Sequence, residues 1–280
     1  MNARWIVGVD GSDEAVDALR WATHHASPRH VEVTAVSAFH VPAIMSMMVA
    51  KRGFGVDELG LQATAGHDLD TAIERVGGNV TALVVEGQAS HVLVDTANEA
   101  DLLVVGQRGS GDLRSHRLGS VSRYCATHAQ VPVVVVPAPW SPGPNDRIVV
   151  GFDGSENAAA AVRWALEFAS PSASITVVSA VEVAPWLGEA LTRERFPDEV
   201  AEQEQQMAAA VDELDPERRT TRSVVLDAPR VALSDAAKGA DLVVVGARGR
   251  GVIAAGFLGS VSTWLLQDAA APVVIVPHGD

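Results

Sequence analysis

Two glycine-rich segments carry the residue types best suited to binding chemistry. The spacing Gly-x2-Gly-x9-Gly-Ser occurs twice, at Gly106, Gly109, Gly119 and Ser120 and again at Gly246, Gly249, Gly259 and Ser260. Glycine allows positive φ angles and lets a ligand approach the backbone N–H groups closely. Each Gly-Ser pair precedes a predicted helix, whose first N–H groups lack partners and lie at the positive end of the helix dipole. The segments therefore predict two sites for an anion such as a phosphate chain.

Basic side chains lie within both segments. Arg108 and Arg248 follow the first glycine of each, and the first segment adds Arg114, His116 and Arg117. These residues place positive charge at a predicted anion site in a protein whose net charge is −14. A solvated loop surface is the alternative interpretation for the arginines. A conventional P-loop is excluded because the chain contains no Gly-x4-Gly-Lys-[Ser/Thr] motif.

Short apolar runs that alternate with helical patterns must position these segments. The runs predict strands near 4–10, 31–38, 80–85, 101–106 and 132–137, then near 147–153, 174–181, 222–226, 241–246 and 272–277. Helices are predicted near 13–26, 57–76, 90–100 and 120–129, with a long polar helix around 189–214. This alternation favours an α/β fold with doubly wound parallel sheets, in which ligands bind at the carboxyl ends of strands.

The chain is an internal duplication with an offset of about 140 residues. Ile6–Ser12 recurs as Val149–Ser155, and the apolar run before the first glycine segment recurs before the second. The prolines between the copies oppose a continuing helix or central strand. We therefore predict one domain at 1–138, a Pro-rich linker at 139–146 and a second domain at 147–280.

Composition excludes several classes of protein and site. The 280 residues include 35 acidic against 21 basic side chains, which disfavours binding to nucleic acid or to an anionic membrane. One cysteine, Cys125, excludes an intramolecular disulfide and a Cys-rich zinc site, and the histidines show no metal-binding spacing. We find neither a signal-peptide pattern nor a run of 18 apolar residues, so a cytoplasmic protein is expected.

These residues resemble the ATP-binding branch of the universal stress protein family, in particular its tandem-domain actinobacterial members. The resemblance rests on the two glycine segments, on Val-Asp-Gly-Ser at Val9–Ser12, and on the closing run Pro-Val-Val-Val-Val-Pro at Pro132–Pro137. It covers both copies outside the linker. It implies, for each half, a five-stranded parallel sheet of flavodoxin-like order 3-2-1-4-5.

The resemblance also implies one ATP site in each half. In the first half it assigns Asp10 and the main chain near Val36 to the adenine, Gly106 to the ribose, and Gly109, Gly119, Ser120 and Ser122 to the phosphates. Arg108 and Val121, which lie in the same segment, complete the predicted site. The counterparts are Asp153, Val178, Gly246, Arg248, Gly249, Gly259, Ser260, Val261 and Ser262. A turn in which the side chain bonds its own backbone is the alternative for Asp10 and Asp153. The second copy departs from the family pattern at Asp227–Arg230, so its pocket is expected to differ slightly.

Three functions remain open from the sequence. The leading one is an ATP-binding regulatory protein that acts in adaptation to stress or growth arrest, which is what the resemblance implies. The second is a slow ATPase or phosphotransferase, for which Asp10, Asp153 and Asp112 could hold Mg²⁺ beside the ATP. A second catalytic carboxylate or a lysine at matching positions in both halves is missing for that role. The third is a nucleotide-free structural module, against which two intact glycine segments argue.

Expectations for partners and for other features complete the analysis. The apolar terminal strands near 133–136 and 273–276 would be sheet edges, so the family's pairing of these strands implies a pseudo-dimer within the chain and a homodimer of chains. A further protein partner is expected but not identified. Residues 41–50 could form a lid or a partner surface, whereas 199–213 indicate a solvated helix face. Cys125 is interpreted as a small buried side chain, with a redox sensor as the alternative.

Overall fold

A computed structural model describes residues 3–41, 60–109, 118–143, 146–182, 188–249 and 257–277 of the protein. The chain divides into two compact units, Met1–Pro142 and Gly143–Asp280. The division falls within the proline-rich segment between the two sequence copies. Each unit is described separately below.

The first unit is a parallel sheet wrapped by helices. Its elements are β1 (Arg4–Gly8), α1 (Asp13–Ala26), β2 (Glu32–Phe39), α2 (Leu61–Val76), β3 (Val80–Glu86), α3 (Ala89–Ala97), β4 (Leu102–Gly106), α4 (Ser120–His128) and β5 (Val133–Val136), with a short 3₁₀ turn at Ser27–Arg29. The strands are ordered β3-β2-β1-β4-β5. The predicted α/β fold with sheet order 3-2-1-4-5 is confirmed.

The second unit repeats this architecture. Its elements are β6 (Arg147–Gly151), α5 (Glu156–Phe168), β7 (Ser174–Ala180), α6 (Gly188–Arg195), α7 (Pro197–Leu214), β8 (Thr220–Val225), α8 (Pro229–Ala237), β9 (Leu242–Gly246), α9 (Ser260–Asp268) and β10 (Val273–Val276). Their order, β8-β7-β6-β9-β10, is the same winding as in the first unit.

Strand burial explains why the sequence folds this way. All five residues of β4 and all five of β9 are buried, as expected for parallel strands covered by helices on both faces. Helix α1 buries one face, including Leu19 and Trp21, which are fully inaccessible to solvent. The winding direction reverses between β1 and β4, where a crevice opens at the carboxyl ends of the strands.

The prediction of one continuous helix around 189–214 was wrong. The polar segment around 189–214 forms two helices, α6 and α7, which are separated at Phe196 (φ −132°, ψ 52°). A residue before proline is disfavoured in the helical region, and Pro197 follows directly. Within α7, Val200, Met207 and Val211 are buried and most of the polar residues are exposed. The expected solvated face is therefore present, in a shorter helix.

Among the residues that the structure describes, no helix combines the length and apolar character that a membrane span requires.

Candidate functional site

A cavity of about 760 Å³ opens at the carboxyl ends of β1 and β4 in the first unit. Its volume lies within the range of about 300–1,000 Å³ that is usual for small-molecule sites. All nine residues that the sequence assigned to the first site line it: Asp10, Val36, Gly106, Arg108, Gly109, Gly119, Ser120, Val121 and Ser122. Residues more than 100 positions apart in sequence therefore meet at one crevice.

Asp10 follows β1 and divides its two carboxylate oxygens between two tasks. Oδ1 accepts hydrogen bonds from the backbone N–H of Ser12 (3.2 Å) and from the Ser12 hydroxyl (2.6 Å). The Ser12 oxygen in turn accepts from the Ala15 N–H and caps α1. Oδ2 faces Gly109 across the crevice. The turn interpretation of Asp10 thus describes one oxygen, and the other faces the glycine loop.

The loop glycines permit very close approach. A Cβ atom at Gly109 would clash with Oδ2 of Asp10, and a Cβ atom at Gly249 would clash with Oδ2 of Asp153. These two glycines let the loop pass over the carboxylates without a side chain filling the space. Gly106 has another reason to be glycine, since a Cβ there would lie 2.9 Å from the backbone carbonyl carbon of Glu14 in α1. It therefore allows α1 to pack tightly against β4.

Helix α4 begins at the cavity with uncapped N–H groups. Gly119 is its N-cap in an extended conformation (φ −61°, ψ 152°) and supplies no side-chain acceptor. The first backbone bond of the helix runs from the Arg123 N–H to the Gly119 carbonyl (3.0 Å). The N–H groups of Ser120, Val121 and Ser122 therefore have no acceptor within the helix, and they lie at the positive end of its dipole. This arrangement suits an anionic ligand.

Ser122 lines the cavity, and its hydroxyl is hydrogen-bonded within the loop. Its buried hydroxyl donates to the carbonyl of Gly106 (2.6 Å), while the Gly119 N–H donates to the carbonyl of Gln107 (2.9 Å). In the second unit, the Ser262 hydroxyl donates to Gly246 in the same way (2.9 Å). A hydroxyl has one proton to donate, so these serines hold the ends of the loop together.

Arg108 is partly buried and is not a fully solvated loop residue. Its guanidinium Nη2 lies 3.4 Å from Oε1 of Glu14, and the two side chains are 29% and 22% exposed. Its Nε atom is buried and has no hydrogen-bond acceptor among the described residues. An acceptor atom of a ligand in the cavity would satisfy this donor.

Some cavity residues lay outside the sequence motifs. Ala38 at the end of β2, Ala89 and Leu93 on α3, and Arg123 on α4 also line the cavity. Leu93 packs so closely over β1 that a Cβ at Gly8 would lie 2.7 Å from its Cδ1. The apolar face of α3 was the available signal for Leu93. Arg123 has Thr263 at its counterpart position, so the repeat comparison gave no signal for it.

The second unit places its predicted residues in matching positions. Val36 and Val178 pair in register with Gly8 and Gly151, and each carbonyl accepts a hydrogen bond from the residue after that glycine, at 2.9 and 2.8 Å. Gly259 caps α9 as Gly119 caps α4, so Ser260 and Val261 begin that helix. The departure at Asp227–Arg230 leaves α8 intact, because Pro229 occupies a first-turn position.

Several other expectations concern residues near the site. Asp112, Arg114, His116 and Arg117, together with 42–50 of the suggested lid, lie outside the described residues. Cys125 is fully buried in α4, and burial raises the pKa of its thiol to about 12. A thiol with that pKa is a poor redox sensor, in agreement with the buried-side-chain interpretation. The described parts of the chain contain no group of three His, Cys, Asp or Glu side chains that could hold a metal ion.

The protein was compared with known families, proteins and structures. The model of the universal stress protein family matches twice, over residues 1–137 and 144–277. The universal stress protein Rv2623 of Mycobacterium tuberculosis is 34% identical, with 96% of this chain and 95% of that protein covered. Rv2005c, a universal stress protein of the same organism, is 31% identical with the same coverage.

A solved structure agrees with these sequence matches at the level of the fold. The crystal structure of a universal stress protein from Archaeoglobus fulgidus superposes with a TM-score of 0.67 at 15% identity, and covers 99% of this chain and 98% of that one. Two family matches that span nearly the whole sequence, with full-length relatives above 30% identity, show that this chain belongs to the universal stress protein family.

Proposed function

We propose that the protein binds one ATP in each unit and acts as a nucleotide-dependent regulator in the stress response. The observation that carries the proposal is the crevice between β1 and β4. There Gly109 and the Asp10 carboxylate lie against each other, and α4 presents N–H groups without a side-chain cap to the same cavity. Family membership supports the stress-response role, and the geometry of the site supports the choice of ligand.

The cavity has the two chemically different ends that a nucleoside phosphate requires. Asp10, Val36 and Ala38 form a partly apolar end beside the backbone of β1 and β2, which suits a base. The uncapped start of α4 and Arg108, with its unsatisfied Nε, form a cationic end that suits phosphate oxygens. The residues present therefore fit ATP. When bound, ATP would supply the negative charge that this end lacks.

Binding is favoured over catalysis. Phosphoryl transfer requires groups that hold a metal and orient the nucleophile. Asp10 and Asp153 match between the units, but Glu14, which contacts Arg108 in the first unit, has Asn157 as its counterpart, so this position supplies no second shared carboxylate. The proposal also includes the expected cytoplasmic location, self-association of chains and a protein partner that responds to the bound nucleotide.

The decisive experiment measures nucleotide that stays with the purified protein. The protein is denatured, the precipitate is removed, and released nucleotide is quantified by chromatography. Gly109→Ala and Gly249→Ala are compared singly and together. Each added methyl group would clash with an aspartate of the same unit, Asp10 or Asp153. We expect close to two ATP per chain, about one in each single variant and almost none in the double variant.

Two results would contradict the proposal. Absence of nucleotide, with none taken up after addition of ATP and Mg²⁺, would mean that the glycine loops serve the fold alone. Nucleotide content that does not change in the double variant would place the binding site elsewhere. Recovery of mainly ADP would instead indicate turnover and favour the ATPase alternative.

A further inference from the structure

The two units differ at one position directly behind the glycine loop. Glu14 in α1 packs against Gly106, and Asn157 in α5 packs against Gly246 in the same manner. A Cβ at Gly106 would lie 2.9 Å from the Cβ of Glu14, and one at Gly246 would lie 2.7 Å from the Cβ of Asn157. The backbone positions are therefore equivalent, while one side chain is charged and the other is neutral.

This difference reaches the arginine of the loop. In the first unit, Glu14 Oε1 lies 3.4 Å from Arg108 Nη2, and both side chains are largely shielded from solvent. In the second unit, Arg248 occupies the same place in the loop, and the residue behind it is an amide that is 8% exposed. The positive charge of Arg108 is thus partly balanced by a carboxylate for which the second unit has no equivalent at this position.

We propose that Glu14 sets how strongly the first site discriminates nucleotides by their phosphate charge. The inference rests on the proposed function, since it concerns ligands of the same cavity. The carboxylate of Glu14 weakens binding of a triphosphate more than that of a monophosphate. Asn157 imposes no such penalty on the second site.

Coulomb energy determines the sign of this effect. The repulsion between Glu14 and a ligand grows with the number of negative charges on the ligand, and partial burial reduces its screening by salt. Holding Arg108 in place opposes this repulsion, because an ordered guanidinium loses less freedom on binding. Ordering gives a similar gain for every phosphate ligand that Arg108 contacts, whereas the repulsion increases from AMP to ATP. The ratio of the affinities for ATP and AMP therefore measures the repulsion between Glu14 and the ligand.

A second difference must be kept constant in the test. Arg123 lines the first cavity, and Thr263 stands at its counterpart. Arg114, His116 and Arg117 also lack basic counterparts in the second segment, so a direct comparison of the two units would mix several charge differences. The substitutions are therefore compared within the first unit, in a Gly249→Ala chain whose second site is blocked.

The experiment measures dissociation constants for ATP and AMP by calorimetry in that chain, with and without Glu14→Gln. The Gln side chain removes the charge and keeps the shape. We expect the Kd for ATP to fall by about 3- to 10-fold and the Kd for AMP to change by less than about 2-fold. Glu14→Asp, which retains the charge, should leave the ATP-to-AMP preference within about 2-fold of the parent.

A reciprocal variant guards against a folding artefact. In a Gly109→Ala chain, Asn157→Asp should lower the preference of the second site for ATP over AMP, with retained structure checked by circular dichroism. An unchanged preference in Glu14→Gln, or equal changes for both ligands, would overturn the inference and leave ATP binding intact. If the Gly249→Ala chain with Glu14 intact binds neither ATP nor AMP, the proposed function is overturned together with this inference.

Discussion

At the scale of single residues, one of the two serines that follow Gly119 holds the glycine loop in shape. The Ser122 hydroxyl is buried and donates to the Gly106 carbonyl, whereas Ser120, two positions earlier, is exposed at the first turn of α4. One serine therefore supports the loop and the other faces the site. Neighbouring residues of one motif thus have different physical roles.

Alanine substitutions should separate these roles. Ser122→Ala removes a buried hydrogen bond and leaves the Gly106 carbonyl without that donor. It should lower the free energy of unfolding, without nucleotide, by about 1–2 kcal/mol. Ser120→Ala should change this quantity by less than about 0.5 kcal/mol, because the side chain is exposed. Urea denaturation followed by circular dichroism measures both. Unchanged stability in Ser122→Ala with weaker ATP binding would instead indicate a direct phosphate contact.

At the scale of elements, the site depends on how closely α1 lies against β4. Gly106 ends β4 beneath Glu14, and the backbone of α1 leaves no space for a side chain there. The same contact brings Glu14 within reach of Arg108. Glycine at this position therefore determines a helix–strand distance, in addition to any contact with a ligand.

Matched glycine-to-alanine substitutions test this packing. In Gly106→Ala the new Cβ would lie 2.9 Å from backbone atoms of Glu14, so α1 must shift. We expect a loss of about 1–3 kcal/mol in the free energy of unfolding, as for overpacked cores. Gly66 in α2 is the control, since its Cβ would meet only Val84, at 4.0 Å. Gly66→Ala should stabilise the protein by about 0.5–1 kcal/mol. Equal effects of the two variants would contradict this account.

At the scale of the whole molecule, the chain contains the same sheet order and the same glycine-loop helix start twice. Each unit has its own five-stranded sheet order and its own helix start after the glycine loop. A ligand that binds only the folded form stabilises that form by mass action. Each unit should therefore respond to ATP through its own loop.

Hydrogen exchange with mass spectrometry can follow the two responses separately. ATP at about 100 times its Kd should slow exchange at the starts of both α4 and α9, by up to about 100-fold where exchange requires ligand release. In Gly109→Ala the protection should disappear from Ser120–His128 and persist in Ser260–Asp268. Loss of protection in both helices would show that the two sites do not respond independently.

The sequence by itself determined the fold class, the duplication and the two glycine segments of the candidate sites. Buried apolar runs such as 102–105 and 133–136 are local signals, because a strand covered on both faces must be apolar throughout. The glycine spacing is equally local, since a tight loop and an uncapped helix start are properties of a short segment. The break at Pro197 was also readable, but the polar helical pattern on both sides obscured it.

Only the tertiary structure decided which side chains meet. Glu14 and Arg108 are 94 positions apart in sequence, and the Ser122 hydroxyl bonds to Gly106, which lies 16 positions earlier. Such contacts depend on the packing of α1 and α4 against β4, and no local pattern encodes a distance between elements. For the same reason, the exchange of Glu14 for Asn157 is visible in the sequence, but only the packing shows that this position lies behind the glycine loop.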